Sequence, residues 1–158
     1  RRGSMTFSSS IPPTGRSARA PVPSLGSGWG ERIGIVHDAD RVEVERVVFA
    51  PREVQPLVRY RFALDGSATE NAVNMGRTGP APTSTTVWDG NRLVITTLYP
   101  FQGPEDGRRL TGELTQTLWL QPARGTPFEP SLVVETTRGG ALGGPSSTNR
   151  TVYRKGYR

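Results

Sequence analysis

A chain of 158 residues with 19 Gly, 14 Pro and no Cys has the length of one domain, and it excludes disulfides, thiolate metal sites and thiol catalysis. A single His excludes a histidine-based triad or a multi-histidine metal centre. Net charge is +6, and its placement says more than its size: residues 1–28 and 148–158 each hold four basic side chains and no acid, while 29–147 hold 12 basic against 14 acidic.

A domain of this length can bury roughly 70% of the surface its unfolded chain exposes, so it needs no metal to fold. Abundant Thr and Val with Gly and Pro favour strands joined by turns, and no window sustains the 3.6-residue apolar period of a helix. The apolar runs, such as Val47-Val48-Phe49-Ala50, fall far short of the ~20 residues of a membrane-spanning helix. The sequence opens on Arg1, not on Met. Two accounts fit: an export segment preceded it, which the family resemblance given below favours, or Arg1-Arg2-Gly3-Ser4 is a foreign leader before a start at Met5.

Residues 1–28 read as an extended arm. Ile11-Pro12-Pro13, Ala20-Pro21-Val22-Pro23 and the Ser/Gly clusters suit neither a helix interior nor a central strand, and apolar residues are too sparse for a core. Such an arm orders by lying on its own domain or on a partner. Residues 29–158 read as the β-domain.

Glu31–His37 and Val42–Phe49 flank the polar turn Asp38-Ala39-Asp40-Arg41, a first hairpin whose second strand alternates Val42 and Val44 with Glu43 and Glu45. A phase shift at Arg46-Val47-Val48 predicts a bulge. Leu57–Leu64 and Thr69–Met75 flank Asp65-Gly66, and Thr83–Trp88 and Arg92–Tyr99 flank Asp89-Gly90, dipeptides that supply the positive φ of tight turns. Pro100–Arg108 reads as a loop. Leu110–Gln121 places Leu110, Leu114, Leu118 and Leu120 on one face and Thr111, Glu113, Thr115, Thr117 and Trp119 on the other. Pro122–Pro130 connects it to Ser131–Arg138, and the glycine-rich 139–145 leads to a last strand, Thr148–Lys155. The fold expected is all-β: an antiparallel up-and-down meander of about eight to nine strands, a closed or partly closed barrel with an extended N-terminal arm. Leu, Val and Ile with Tyr60, Phe62, Trp88, Tyr99 and Trp119 are enough to fill its interior.

As a set, Tyr60-Arg61-Phe62-Ala63-Leu64-Asp65-Gly66 with Glu70-Asn71, Val87-Trp88-Asp89-Gly90-Asn91-Arg92-Leu93-Val94-Ile95-Thr96, Thr115-Gln116-Thr117-Leu118-Trp119-Leu120, Leu132-Val133-Val134-Glu135-Thr136-Thr137-Arg138 and Arg150-Thr151-Val152-Tyr153-Arg154 resemble a group of small exported, mostly uncharacterised bacterial lipocalin-like β-proteins. The resemblance spans about residues 29–154. It implies an exported, calycin-like meander barrel and no defined catalytic residues. The arm and the loops at 100–108 and 122–130 depart from the common pattern.

Candidate chemistry is sparse. His37 at a strand end is a surface or capping residue. Glu43 and Glu45 share a strand face about 7 Å apart, a separation open to glycosidase carboxylates, but alternation with Val is what a half-solvated strand looks like. Asp38 with Asp40, and Glu105 with Asp106, are oxygen ligands in principle and turn residues by spacing. The glycines of 139–144 lack the helix and Lys-Ser/Thr of a phosphate loop, and Asn149-Arg150-Thr151 is a glycosylation sequon only in a eukaryotic secretory route. No catalytic, cofactor-binding or metal site is expected.

The function expected is that of a non-catalytic structural or accessory subunit. It docks on a larger membrane-associated assembly at the periplasmic or extracellular face of a bacterial membrane, with a phototrophic reaction-centre and antenna complex as the first candidate. Docking is assigned to Phe7, Ile11, Arg16, Arg19, Val22 and Leu25 of the arm and to Arg150, Arg154, Lys155 and Arg158 of the tail. Protein subunits and anionic lipid headgroups are the expected partners. Nucleic acid is not, because the sheet lacks a basic strip interleaved with exposed aromatics. The alternative is a lipocalin-like carrier of a small apolar ligand.

Overall fold

The computed structural model describes residues 3–8, 29, 32–46, 58–71, 81–102, 107–122, 130–139 and 145–155. They form ten strands, β1 (Gly3–Ser8), β2 (Arg32–His37), β3 (Arg41–Arg46), β4 (Val58–Ala63), β5 (Thr69–Glu70), β6 (Thr83–Asp89), β7 (Arg92–Gln102), β8 (Arg109–Gln121), β9 (Ser131–Arg138) and β10 (Ser147–Lys155). Among the described residues there is no helix, and none long and apolar enough to cross a membrane.

Every pairing is antiparallel. A three-strand ladder, β2 to β4, and a six-strand ladder, β5 to β10, are joined by β1, which pairs with β2 along its length and with β10 at Phe7↔Lys155 and Ser8↔Arg154. Each strand thus lies beside its neighbours in sequence, and the first strand lies beside the last. The one break in this ring is between β4 and β5. No backbone ladder joins them among the described residues, so the sheet is not a closed barrel by its backbone.

Side chains span that break. The Asn71 carboxamide accepts from the Arg61 amide at 2.7 Å and donates to the Arg61 carbonyl at 2.9 Å, giving β4 the two bonds that a neighbouring strand would give. The Ala63 amide donates to Thr69 Oγ1 at 3.2 Å, and the Asn71 amide continues β5's pairing by donating to the Pro82 carbonyl at 3.1 Å. Each bond satisfies a backbone group of an edge strand.

Alternation sets which side chains face inward. Ile33, Ile35, Val42, Val44 and Phe62 from one ladder meet Leu93, Ile95, Leu118, Leu132, Val134 and Tyr153 from the other, with Trp29 among them. Each fully buried aliphatic side chain stabilises by about 1.5–3 kcal/mol. The Trp29 ring centroid lies 6.1 Å from that of Phe62 and 6.5 Å from that of Tyr60, both pairs tilted. On the outer face of the larger ladder five threonines stand in one rank across five strands: Thr85↔Thr96↔Thr115↔Thr137↔Thr148. Pairs of this kind favour the observed register, and the Thr137 and Thr148 hydroxyls bond at 3.0 Å.

The hairpins follow the turn chemistry. Asp38 Oδ1 accepts from the amides of Asp40 and Arg41, closing the β2–β3 turn. Gly66 and Gly90 take φ of 83° and 60°, where a β-carbon would be strained. The second of these loops is centred on Gly90-Asn91, since Asp89 pairs with Arg92.

Three sequence expectations change. Gly3–Ser8, read as part of the arm, is a strand, so the described strands number ten. Pro100–Arg108 is not wholly loop: β7 runs to Gln102 and β8 starts at Arg109, with Pro100 opposite Thr111. Pro is tolerated there because β6 pairs no further along β7 than Leu98, leaving an edge where the missing amide costs no ladder bond. Trp88 and Trp119 do not fill the interior; Trp88 emerges at the rim and Trp119 lies on the outer face. Tyr153 and Trp29 take their place. The expected bulge reaches into 47–48 and, like most of 122–130 and 139–145, lies mainly outside the described residues.

Candidate functional site

The ring of strands has two ends, and the chain's charges are distributed unequally between them. At one end β1 finishes, β2 begins, β3 finishes and β10 finishes. Ser8 stands between Arg32 and Arg154, and Phe7 stands between Ile33 and Lys155, with Arg46 opposite Ile33. Four cations therefore occupy two adjacent ladder rows on four strands, a span of roughly 14 Å at ~4.8 Å per strand. No carboxylate stands in those rows among the described residues.

The same end carries two strongly exposed large apolar side chains: Trp88 is 58% exposed and Leu120 53%. Both continue the inward-facing parity of their strands, Trp88 after Ser84 and Thr86, Leu120 after Gln116 and Leu118. They emerge because their strands end there. The opposite end mixes signs, with Asp38, Asp40, Asp65 and Glu70 near Arg41, Arg108 and Arg109. The Asp65 carboxyl is held below its usual range by the Ser67 hydroxyl and amide, which donate to it.

Two phenols lie near Arg46, Tyr153 buried and Tyr60 half-buried. Burial pushes Tyr153 up to about 12, against the opposing influence of a hydrogen bond with the Trp29 backbone and the Arg46 charge. Tyr60 is raised by burial too, and the Arg46 charge and hydrogen bond oppose it. Arg46 thus faces inward at the rim, linking the cationic rows to the core.

The residues assigned to docking separate into groups. Phe7, Arg154 and Lys155 come together, because β1 and β10 are neighbours. Arg150 lies mid-strand on the outer face instead. Its guanidinium donates to Glu135 Oε2 at 2.8 and 3.2 Å and lies 5.4 Å from the Trp119 ring centroid, opposite Arg92 at 4.3 Å. Ile11, Arg16, Arg19, Val22, Leu25 and Arg158 lie outside the described residues. Arg32, Arg46, Trp88 and Leu120 were missed, since nothing local in the sequence says which strand ends share a rim.

The chemical candidates are accounted for by packing. Glu45 pairs with Arg59 at 2.6 Å, while Glu43, only 5% exposed, lies 3.3 Å from Arg61 and 3.6 Å from Arg41. Asp38 serves the β2–β3 turn and pairs with Arg41. Among the described residues no three His, Cys, Asp or Glu side chains gather to hold a metal. One interior group is unusual: Thr86, 1% exposed, has a hydroxyl with no hydrogen-bond partner, in the ladder row Thr86↔Ile95↔Gln116↔Thr136.

No family model, no curated protein and no solved structure matches the chain.

Proposed function

We propose that the chain is a non-catalytic accessory subunit, a partly closed β-barrel that docks through its basic end on a larger membrane-associated assembly outside the cytoplasm. One observation supports this most: β1 lies between β2 and β10, so Arg154 and Lys155 of the basic C-terminal segment meet Arg32 and Arg46 at one rim, with no carboxylate in the same rows among the described residues. A cluster of like charge steers surfaces of the opposite sign towards it. The partner chemistry this fits is an acidic protein face at an anionic bilayer.

The test reverses the rim. Full-length protein carrying Arg154→Glu and Lys155→Glu is expected to lose the stoichiometric partner that the unaltered chain co-purifies with, while Glu70→Lys at the opposite end keeps it. Retention of the same partner by the rim variant would overturn the proposal.

The carrier reading has the Thr86 hydroxyl in its favour, because a buried group without a partner costs about 1–3 kcal/mol unless something satisfies it. Under that reading native mass spectra show an adduct that Thr86→Val removes; a bare mass with Thr86→Val stabilised by about 1 kcal/mol opposes it.

A further inference from the structure

We propose that the basic rim is a bilayer-contact surface for anionic phospholipid, with Trp88 and Leu120 entering the headgroup region at the same end of the strands as the cations. This names the partner of the docking site above and rests on that reading. The strands put four basic residues, Arg32, Arg46, Arg154 and Lys155, on one side of the rim, and the ends of β6 and β8 put Trp88 and Leu120 on the other. An indole with one apolar face and one N–H donor is at its best where hydrocarbon meets water, and Leu adds apolar area beside it.

Lys and Arg near the same plane draw the rim to phosphate, and the arrangement gives one orientation only. The far end, where Asp38, Asp40, Asp65 and Glu70 offset Arg41, Arg108 and Arg109, lacks that attraction. Neither Trp88 nor Leu120 belongs to the buried core, and both stand at the end of the strands where those four basic residues gather.

The experiment uses the full-length protein and sedimentation with phosphatidylcholine vesicles, with and without phosphatidylglycerol. Binding is expected only when phosphatidylglycerol is present, falling as salt rises, with a blue shift of tryptophan emission that Trp88→Phe abolishes; Trp29 is buried already and Trp119 lies under Arg92. Arg154→Gln and Lys155→Gln are each expected to weaken partitioning about fivefold. Trp88→Ala with Leu120→Ala should weaken it about tenfold or more with an unchanged melting curve, since both side chains are exposed. Equal binding to both vesicle types, no binding to either, or unaltered binding by the Trp88/Leu120 variant would overturn the inference. Loss of vesicle binding with partner co-purification intact would sink the lipid surface and leave the protein-docking proposal standing.

Discussion

Between β2 and β10 the two ladders are joined by a strand, whereas between β4 and β5 they are joined by side chains. At the first junction β1 exchanges backbone bonds with β2 along six residue pairs and reaches β10 at two more. At the second, Asn71 and Thr69 bond to the backbone of Arg61 and Ala63. A backbone junction depends little on which side chains it carries, so it should tolerate substitution and fail only on removal. A side-chain junction should fail at single positions.

The largest expected effect is therefore removal of residues 1–8. Without β1 the ladders lose their connection, and the loss approaches the whole stability of such a domain, roughly 5–15 kcal/mol. The expected outcome is loss of the cooperative denaturant transition, recovered when a peptide of residues 1–9 is added in trans; a truncated chain that melts like the full one would show that β1 is dispensable.

Asn71→Ala comes next. It leaves the Arg61 amide and carbonyl without partners at a half-buried edge, and about 2–4 kcal/mol should be lost in urea titrations. Asn71→Asp should be no better, because it keeps the acceptor and exchanges the donor for a charge. If both variants unfold at the parental midpoint, the seam is closed by something else.

Tyr153 brings the six-strand ladder against Trp29 and Arg46. Its folded-state value, about 12, lies above the ordinary 10.0, so the folded chain holds the phenolic proton more tightly than the unfolded one. The associated stability, about 2–3 kcal/mol, is complete below pH 10 and disappears as the pH rises towards 12. Tyr153→Phe should flatten the alkaline limb of stability against pH, and an unchanged limb would remove Tyr153 as its cause. Smallest is Thr69→Val, which removes one acceptor from the Ala63 amide and should cost about 1 kcal/mol by the same titration.

Much of this architecture could be read in the sequence because hairpins are local. Asp65-Gly66 and Asp89-Gly90 mark their turns, and the alternation of Val42 and Val44 with Glu43 and Glu45 puts the valines in the core and the carboxylates on the other face, where Glu43 is nevertheless buried beside Arg41 and Arg61. β1 escaped because Met5 and Phe7 alone are a thin apolar signal beside the prolines that follow, and its partners are distant in sequence. Asn71 escaped for a related reason: a carboxamide standing in for a strand has no motif. Trp119 was assigned to the interior from its size, although its parity with Thr115 and Thr117 places it outside, where Arg92 and Arg150 cover its ring. The rim of cations was half legible, since composition showed the basic C-terminal end but not that Arg154 and Lys155 stand near Arg32 and Arg46.

The pairing of Phe7 with Lys155 also has a consequence in time. As the chain emerges from the ribosome or from a translocon, β1 comes first, while the strand that completes its second edge comes last. Contacts between such distant segments form slowly, because the loop they close must be ordered before the pairing rewards it. Until β10 arrives, β1 holds an open edge towards solvent, a vulnerable interval in which a chaperone or a neighbouring copy competes for it.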